Sequence, residues 1–169
     1  MRSYTGTSDG IAAGEKPGLR ILVDWLERES ERAVWNNGTF VNRSMRGKSS
    51  LSVHATGRAV DLSYRKMEKK GKAHGRKHAV RVIDFLVHHA DKLGIEAILD
   101  YQVLPYGRGW RCDRGTWQNY KQATIHGAPT GDWFHVEISP AMANAPEKMA
   151  QVLETLGSLP PLSDFGSPA

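Results

Sequence analysis

The chain has 169 residues, 40% of them hydrophobic and 24% charged, which is the length and composition of one globular domain with its own core. It contains no apolar run near the ~20 residues of a membrane-spanning helix and no apolar signal-peptide core at its start. Its single cysteine, Cys112, excludes an internal disulfide, and the net charge of +5 favours an anionic partner such as nucleic acid, a membrane surface or a cell wall.

The first half of the chain predicts, in order, a flexible lead-in, a helix, two short strands and a basic loop. The lead-in is rich in Gly, Ser and Thr, and Pro17 then opens a helical pattern of apolar residues. A turn at Gly57 precedes the second strand. The predicted ranges are 1–16 for the lead-in, 17 to the turn signal at 36–38 for the helix, 39–44 and 58–63 for the strands, and 65–78 for the loop.

The second half alternates helical and strand patterns and ends in a Pro- and Ser-rich tail. The predicted ranges are a helix at 77–93, a strand at 95–104, a hairpin or loop at 106–115, a strand at 133–139, a helix at 142–156 and a linker or tail at 157–169. Together these patterns predict one α+β domain at 17–156, with a small, mostly antiparallel sheet flanked by about three helices.

The strand 133–139 alternates cleanly between apolar and polar residues. Because alternate side chains of a strand lie on opposite faces, one face is predicted to be core and the other to point into a polar cleft. The core face carries Phe134, Val136 and Ile138, and the cleft face carries Trp133, His135 and Glu137. Asp132 is predicted in the turn that enters the strand, from which its carboxylate can turn back towards His135.

The stretch SVHATGRAVD, residues 52–61, places a histidine and an aspartate seven residues apart among small residues. On the strand 58–63 the apolar side chains should pack inward, which leaves Asp61 on the cleft side. His54 precedes the Gly57 turn and can fold back alongside Asp61. Two histidines and one carboxylate form a zinc ligand set with a vacant position, which distinguishes a catalytic zinc site from a structural one. Asp132, close to this set, could accept a proton from water there.

These motifs resemble those of a known enzyme family. SVHATGRAVD is similar to the S-x-H-x-x-G-x-A-x-D motif of the M15 zinc peptidases, which include VanX- and VanY-type D-Ala-D-Ala peptidases and phage L-alanyl-D-glutamate endolysins. DWFHVEI resembles the second motif of that family. The resemblance implies one Zn²⁺ held by His54, Asp61 and His135, with Asp132 as general base, on the hedgehog/DD-peptidase fold. An Asp at the base position is closer to the endolysin branch, since the VanX and VanY branch usually has Glu.

The resemblance also implies residues that bind the substrate. The family uses an arginine upstream of the first motif to grip the substrate and polarise its carbonyl, a role that we expect of Arg43, with Arg46 in reserve. Ser52 matches a family serine near the metal, although a simple turn hydroxyl would look the same. A solvated basic loop is the alternative for both arginines. Glu137 is a rival base, or it orients His135 or Arg43.

The expected function is therefore that of a zinc-dependent peptidase, an endopeptidase or a carboxypeptidase, acting on the stem peptides of bacterial peptidoglycan. The bond cut stays open among L-Ala-D-Glu, D-Ala-D-Ala and D-Ala to diaminopimelate. Since no signal peptide is visible, we expect a phage endolysin or its catalytic domain, made in the host cytoplasm and acting on the cell wall as a monomer.

Two rival functions are compatible with the same residues. A non-catalytic, zinc-containing module on the same fold would bind the wall without cutting it. A nucleic-acid binder would use the basic run 65–78, and its binding would weaken steeply with salt. Neither rival requires Asp132 three residues before His135, so the peptidase is the preferred interpretation. We expect no nucleic-acid partner and no membrane partner.

Overall fold

The computed structural model describes residues 1–45, 47, 49–65 and 75–162 as an α+β protein built on one antiparallel sheet. The six strands in this part of the chain are β1 Trp35–Gly38, β2 Ala59–Ser63, β3 Ile95–Asp100, β4 Arg108–Arg111, β5 Thr116–Asn119 and β6 Trp133–Ile138. They lie in the order β1-β2-β6-β3-β4-β5, and every neighbouring pair is antiparallel. The predicted α+β class and mostly antiparallel sheet are thus confirmed.

The helices of the described residues comprise three long ones and two of a single turn. They are α1 Pro17–Glu29, α2 Gly75–His88, α3 Ala90–Leu93, α4 Pro140–Ala143 and α5 Pro146–Leu156. The helix predicted at 77–93 is divided at His89, and the last helix is divided before Pro146. No helix within the described ranges is both long enough and apolar enough to cross a bilayer.

The core lies on the sheet face that strand alternation predicted. Helix α1 packs against α5 and β2. The inward side chains of the adjacent strands β2 and β6 are fully buried; they are Val60, Leu62, Phe134, Val136 and Ile138. Because these residues face the core, their neighbours on β2 and β6 project from the opposite face, where the polar side chains collect.

The prediction of a strand at 39–44 is wrong, because the strand in this part of the chain, β1, lies earlier, at Trp35–Gly38. Helix α1 ends at Glu29, and Glu31 and Arg32 then adopt positive φ angles of 54° and 59°, which reverses the chain. The segment that follows the reversal therefore reaches the edge of β2 sooner than the helical period suggested. Within 39–44, only Ser44 forms a bridge, with Leu51.

Residues 1–16, for which the sequence predicts a flexible lead-in, lie against the domain, and we call them the N-terminal strap. The amide of Ala12 donates to the carbonyl of Ala55 at 2.9 Å, and the amide of Lys16 donates to that of Gly57 at 2.9 Å. Of the predicted basic loop, residues 66–74 lie outside the described residues, and 75–78 belong to α2. Of the predicted tail, 163–169 lie outside them as well.

Candidate metal centre

Strand register brings an aspartate and a histidine together. Asp61 on β2 is paired with His135 on the adjacent strand β6. Directly opposed side chains of an antiparallel pair have Cβ atoms about 5 Å apart, so both reach the same point on the cleft face. His135 Nδ1 lies 3.0 Å from Asp61 Oδ1.

A one-turn 3-10 helix, Val53–Thr56, adds a second histidine. His54 Nε2 lies 3.4 Å from Asp61 Oδ1, and the two imidazole rings are 4.8 Å apart between centroids. The helix ends at Gly57, which has a φ of 73°, and a Cβ at that position would lie 2.2 Å from the carbonyl oxygen of Gly14. Glycine is therefore required at this corner both by the backbone conformation and by the close approach of the strap.

Each imidazole is fixed through the nitrogen that faces away from Asp61. His54 Nδ1 donates to the carbonyl oxygen of Thr39 at 2.6 Å, and His135 Nε2 donates to Glu137 Oε1 at 3.0 Å. The other oxygen of Glu137 accepts a hydrogen bond from the hydroxyl of Tyr4 at 2.8 Å. Outer hydrogen bonds of this kind set the tautomer and ring orientation of metal-binding histidines. They leave His54 Nε2 and His135 Nδ1 directed at the same carboxylate.

The electrostatics of the cluster favour a positive charge at its centre. Burial alone would raise the pKa of Asp61, but hydrogen bonds from His135 and His54 hold it well below its usual value. Burial alone would lower the pKa of His135, but hydrogen bonds to Asp61 and Glu137 raise it to about 10. The two carboxylates that flank His135 therefore favour positive charge at the centre, and a bound metal cation would supply such a charge.

The donor set could hold a divalent metal ion. The ligand atoms of His54, Asp61 and His135 all lie within 4.8 Å of one another, so the group could hold one metal ion. Two donors on a tetrahedral ion with bonds of about 2.0–2.1 Å lie about 3.3 Å apart. The distances from Asp61 Oδ1 to the two facing nitrogens, 3.0 and 3.4 Å, are close to that separation. Imidazole and carboxylate donors together suit zinc and other late divalent ions.

The centre opens into a cavity of about 700 Å³. Tyr101 and Trp133 lie side by side in its lining, with ring centroids 5.0 Å apart. The N-terminal strap contributes to the same lining with Tyr4, Gly6 and Thr7. The cleft face predicted for β6 is confirmed, since Trp133, His135 and Glu137 all line this cavity.

The predicted substrate-binding residues are placed in part. Arg43 lines the cavity and is exposed, and its Nη1 donates to the carbonyl oxygen of Ser44 at 3.3 Å. Ser52 also lines the cavity and is buried. Arg46 lies outside the described residues.

Asp132 lies in the bend before β6, where the sequence predicted it, but its carboxylate contacts an arginine. Arg65 Nε is 3.5 Å from Asp132 Oδ1. The backbone carbonyl of Asp132 accepts hydrogen bonds from the amide of Tyr64 at 3.0 Å and the hydroxyl of Ser63 at 3.1 Å. Among the described residues that line the cavity, Arg65 is present and Asp132 is not. The general base role of Asp132 stays a prediction.

Sequence reasoning missed three parts of the centre, namely Tyr4, the Thr39 carbonyl and Arg65. A backbone carbonyl leaves no signal in the sequence. Tyr4 stands in a segment whose Gly, Ser and Thr content predicts a lead-in, and Arg65 belongs to the basic run 65–78 that predicts a loop. An isolated aromatic residue in such a segment was the available signal for Tyr4.

The arrangement can hold one cation beside an open cavity, with both imidazoles and the carboxylate already in place. A set of three protein donors leaves a coordination position for a further ligand. The chain matches no known family model, and neither the curated proteins nor the solved structures contain a significant match to it.

Proposed function

We propose that this protein is a zinc-dependent peptidase of the M15 type that hydrolyses peptide bonds in the stem peptides of bacterial peptidoglycan. The observation that carries the proposal is the convergence of His54 Nε2, His135 Nδ1 and Asp61 Oδ1 beside an open cavity, with each imidazole fixed by its other nitrogen. Structural zinc sites are closed by four protein ligands, whereas catalytic sites keep a position for water or substrate.

The architecture supports the same proposal. The α+β fold with an antiparallel sheet agrees with the hedgehog/DD-peptidase fold that the two motifs imply, and we include that fold in the proposal. The first motif supplies His54 and Asp61 from a short helix and β2, and the second supplies His135 from β6. Although the motifs are about 70 residues apart, the pairing of β2 with β6 joins them.

The residues of the chain have separate roles in this mechanism. A zinc ion bound by His54, Asp61 and His135 would supply a Lewis acid that lowers the pKa of water and polarises the peptide carbonyl. Asp132 accepts the proton of the attacking water and delivers it to the leaving amine nitrogen as the C–N bond breaks. Arg43, exposed in the cavity lining, donates hydrogen bonds to the carbonyl oxygen as negative charge develops on it.

Asp132 must exchange one contact to act in this way. Its carboxylate is paired with Arg65, itself a cavity residue, and its side chain is 32% exposed. Glu137 is the weaker candidate for the base, because it is buried and its two oxygens are held by His135 and Tyr4. Its contacts favour the orienting role.

The cavity is large enough to hold a segment of a peptide. Its volume of about 700 Å³ is within the range of sites that bind drug-sized ligands. Aromatic and aliphatic side chains lie beside Arg43 and Arg65, which can pair with carboxylates of the stem peptide. We extend the proposal to a lytic enzyme of the phage endolysin type, which acts on the wall from inside the host.

Mass spectrometry of purified peptidoglycan tests the proposal directly. Wild type should release muropeptides with new amino termini, and those termini identify the bond that is cut. His54→Ala, which removes a ligand, should release none. Asp132→Asn should retain zinc and lose hydrolysis by a factor of about 100 to 10,000. Asp24→Asn, an exposed substitution on α1, is the matched control and should digest as wild type does. Identical digests from wild type and His54→Ala would contradict the peptidase proposal.

A second candidate function is a zinc-containing module that binds the wall without cutting it. The placement of Asp132 favours it, because its carboxylate is paired with Arg65 and Asp132 is not among the described residues that line the cavity. In a binding module, Asp132→Asn would leave wall retention unchanged and wild type would release no new termini. The same digests and a pull-down on insoluble peptidoglycan therefore separate the two functions.

A further inference from the structure

The N-terminal strap is anchored by Arg58, a fully buried arginine that directly precedes β2 and contacts the last residue of β6. Arg58 donates to both carboxylate oxygens of Asp9, at 2.7 and 2.9 Å, and to the carbonyl oxygen of Gly6 at 2.6 Å. The same guanidinium donates to the carbonyl oxygen of Ile138, the last residue of β6. One side chain thus joins two points of the strap to the strand that carries His135.

A second anchor lies next to Tyr4. The hydroxyl of Thr5 donates to Glu96 Oε1 at 2.6 Å, and Glu96 is only 2% exposed. The other oxygen of Glu96 lies 3.4 Å from Arg58 Nη1, so both anchors belong to one buried network. The guanidinium of Arg111 covers the ring of Tyr4, 4.2 Å from its centroid. The strap is therefore held at fixed points directly after Tyr4, at Thr5, Gly6 and Asp9, and the ring of Tyr4 is itself covered.

Held in this position, Tyr4 reaches the outer contact of the metal centre. Its hydroxyl donates to Glu137 Oε2 at 2.8 Å, and Glu137 Oε1 accepts from His135 Nε2 at 3.0 Å. A carboxylate held at one oxygen cannot rotate without breaking that bond, so its other oxygen stays on the imidazole. The hydrogen-bond chain from Tyr4 through Glu137 to His135 ends at Asp61.

We propose that Tyr4 is a positioning residue of the metal centre and that the N-terminal strap is a functional part of the site. Tyr4 acts through Glu137 to fix the ring of His135, with Nδ1 facing Asp61. This inference rests on the metal binding of the proposed function. By thermodynamic linkage, a strap that favours metal binding is itself stabilised by the metal to the same extent.

The first experiment compares the zinc affinity of Tyr4→Phe with that of wild type. Phenylalanine keeps the ring under Arg111 and removes only the hydroxyl that Glu137 accepts. Loss of an outer partner of a metal ligand typically weakens metal binding by about 10–100-fold, and we expect about 10-fold for a partner one step further out. Competition with a chromophoric chelator gives the dissociation constant, and the visible absorption of a Co²⁺-loaded protein reports the geometry around His135.

Two further variants separate positioning from general loosening of the strap. Tyr106→Phe removes a tyrosine hydroxyl outside the cavity lining and should bind zinc as wild type does. Thr5→Val removes the hydroxyl contact to Glu96, keeps the contact of the Thr5 amide with Glu96 Oε2 at 3.3 Å, and leaves Tyr4 and Glu137 intact. We expect Thr5→Val to weaken zinc binding less than Tyr4→Phe and to leave the Co²⁺ spectrum unchanged.

Hydrogen exchange tests whether bound zinc stabilises the N-terminal strap. Zinc should slow exchange at the amides of residues 1–16 in wild type and in Tyr106→Phe, and should slow it less in Tyr4→Phe. Equal zinc affinity and equal Co²⁺ spectra for wild type and Tyr4→Phe would overturn this inference while leaving the proposed function standing. Equal losses in Thr5→Val and Tyr4→Phe would overturn the positioning role of Tyr4, because general anchoring of the strap would then account for both losses. Wild type that binds no zinc would overturn both.

Discussion

Asp61 and His135 oppose each other across two adjacent antiparallel strands, and 3.0 Å separates Asp61 Oδ1 from His135 Nδ1. A shift of one residue in the register between β2 and β6 would turn one of these side chains into the core. The buried residues on either side, such as Val60 and Val136, oppose such a shift. The packing of the core therefore fixes the two potential ligands relative to each other.

Replacing Asp61 with Asn tests the carboxylate as a ligand. The substitution keeps the size of the side chain but removes the negative charge that both histidines face. We expect the dissociation constant for zinc to rise by more than about 100-fold, since even outer partners of a ligand contribute ~10–100-fold. Chelator competition measures the change, with Asp24→Asn as the control.

Peptidoglycan hydrolysis should depend on bound zinc. Dialysis of wild type against a strong chelator should abolish peptidoglycan hydrolysis, and added zinc should restore it. Asp61→Asn treated in the same way should regain little activity at equal zinc concentration. Zinc affinity that is unchanged in Asp61→Asn would contradict the assignment of this carboxylate.

The sequence predicted β2 and β6 because apolar and polar residues alternate along both of them. Phe134, Val136 and Ile138 alternate with polar residues on β6, and only a half-buried strand has that period. The same alternation on β2 placed Asp61 on the cleft side. The grouping of the three potential ligands followed from these two faces and from the turn at Gly57.

Features that depend on distant contacts were not accessible to the same reasoning. The position of β1 depends on the two positive φ angles at Glu31 and Arg32, residue types that usually continue a helix. The path of the N-terminal strap depends on Arg58, which by residue type is expected at the surface but is fully buried. Neither feature is encoded in a local period.

The glycine of the first motif should be essential for a steric reason. At Gly57 a Cβ would lie 2.2 Å from the carbonyl oxygen of Gly14, and the φ of 73° already disfavours other residues. We expect Gly57→Ala to lower the free energy of unfolding by about 2–4 kcal/mol, as the sum of backbone strain and overpacking. Zinc affinity should fall as well, since His54 lies on the helix that Gly57 ends.

Gly115→Ala is the matched control for this effect. Gly115 has a similar φ of 67°, but no atom lies within 4 Å of the position of its Cβ. Gly115→Ala should therefore lower the free energy of unfolding only through its backbone conformation, by about 1–2 kcal/mol, and should leave the zinc affinity unchanged. Urea denaturation measures both variants, and equal losses would show that the contact with Gly14 has no energetic consequence.

Substitution of Arg43 should lower the hydrolysis of substrate and leave zinc affinity unchanged. It is exposed in the cavity lining, and the polar contact that the structure gives its side chain is one hydrogen bond to the Ser44 carbonyl. We expect Arg43→Gln to lower kcat/KM for a stem peptide by about 100-fold, as loss of one oxyanion donor does elsewhere. Zinc affinity and the free energy of unfolding should stay unchanged.

Two variants control the Arg43 experiment. Arg28→Gln removes an exposed arginine on α1, where its ion pair with Glu29 lies outside the cavity, and should hydrolyse the peptide normally. Arg46→Gln tests the alternative arginine in the same assay. A larger loss in Arg46→Gln than in Arg43→Gln would transfer the substrate role to Arg46.

The stability of the protein should decline in acid through the Asp9–Arg58 pair. Burial alone would raise the pKa of Asp9, but hydrogen bonds and charge from Arg58 hold it below its usual value. The unfolded chain therefore binds this proton more readily than the folded one. The stabilisation is complete above the unfolded pKa of about 3.9 and is lost as the pH falls through the lower folded pKa.

Asp9→Asn should consequently lower stability in a pH-dependent way. At pH 7 we expect a loss of about 1–2 kcal/mol, at the low end for a charged hydrogen bond because Asp9 is partly exposed. Because wild type itself loses the charged pair as the pH falls through the lowered pKa of Asp9, the difference between the two proteins should shrink in acid. Urea denaturation at pH 7 and in acid measures the difference, with Asp24→Asn as the control. A difference that is the same at both pH values would mean that Asp9 stabilises the strap by packing, because only a charged carboxylate gives the pair its dependence on pH.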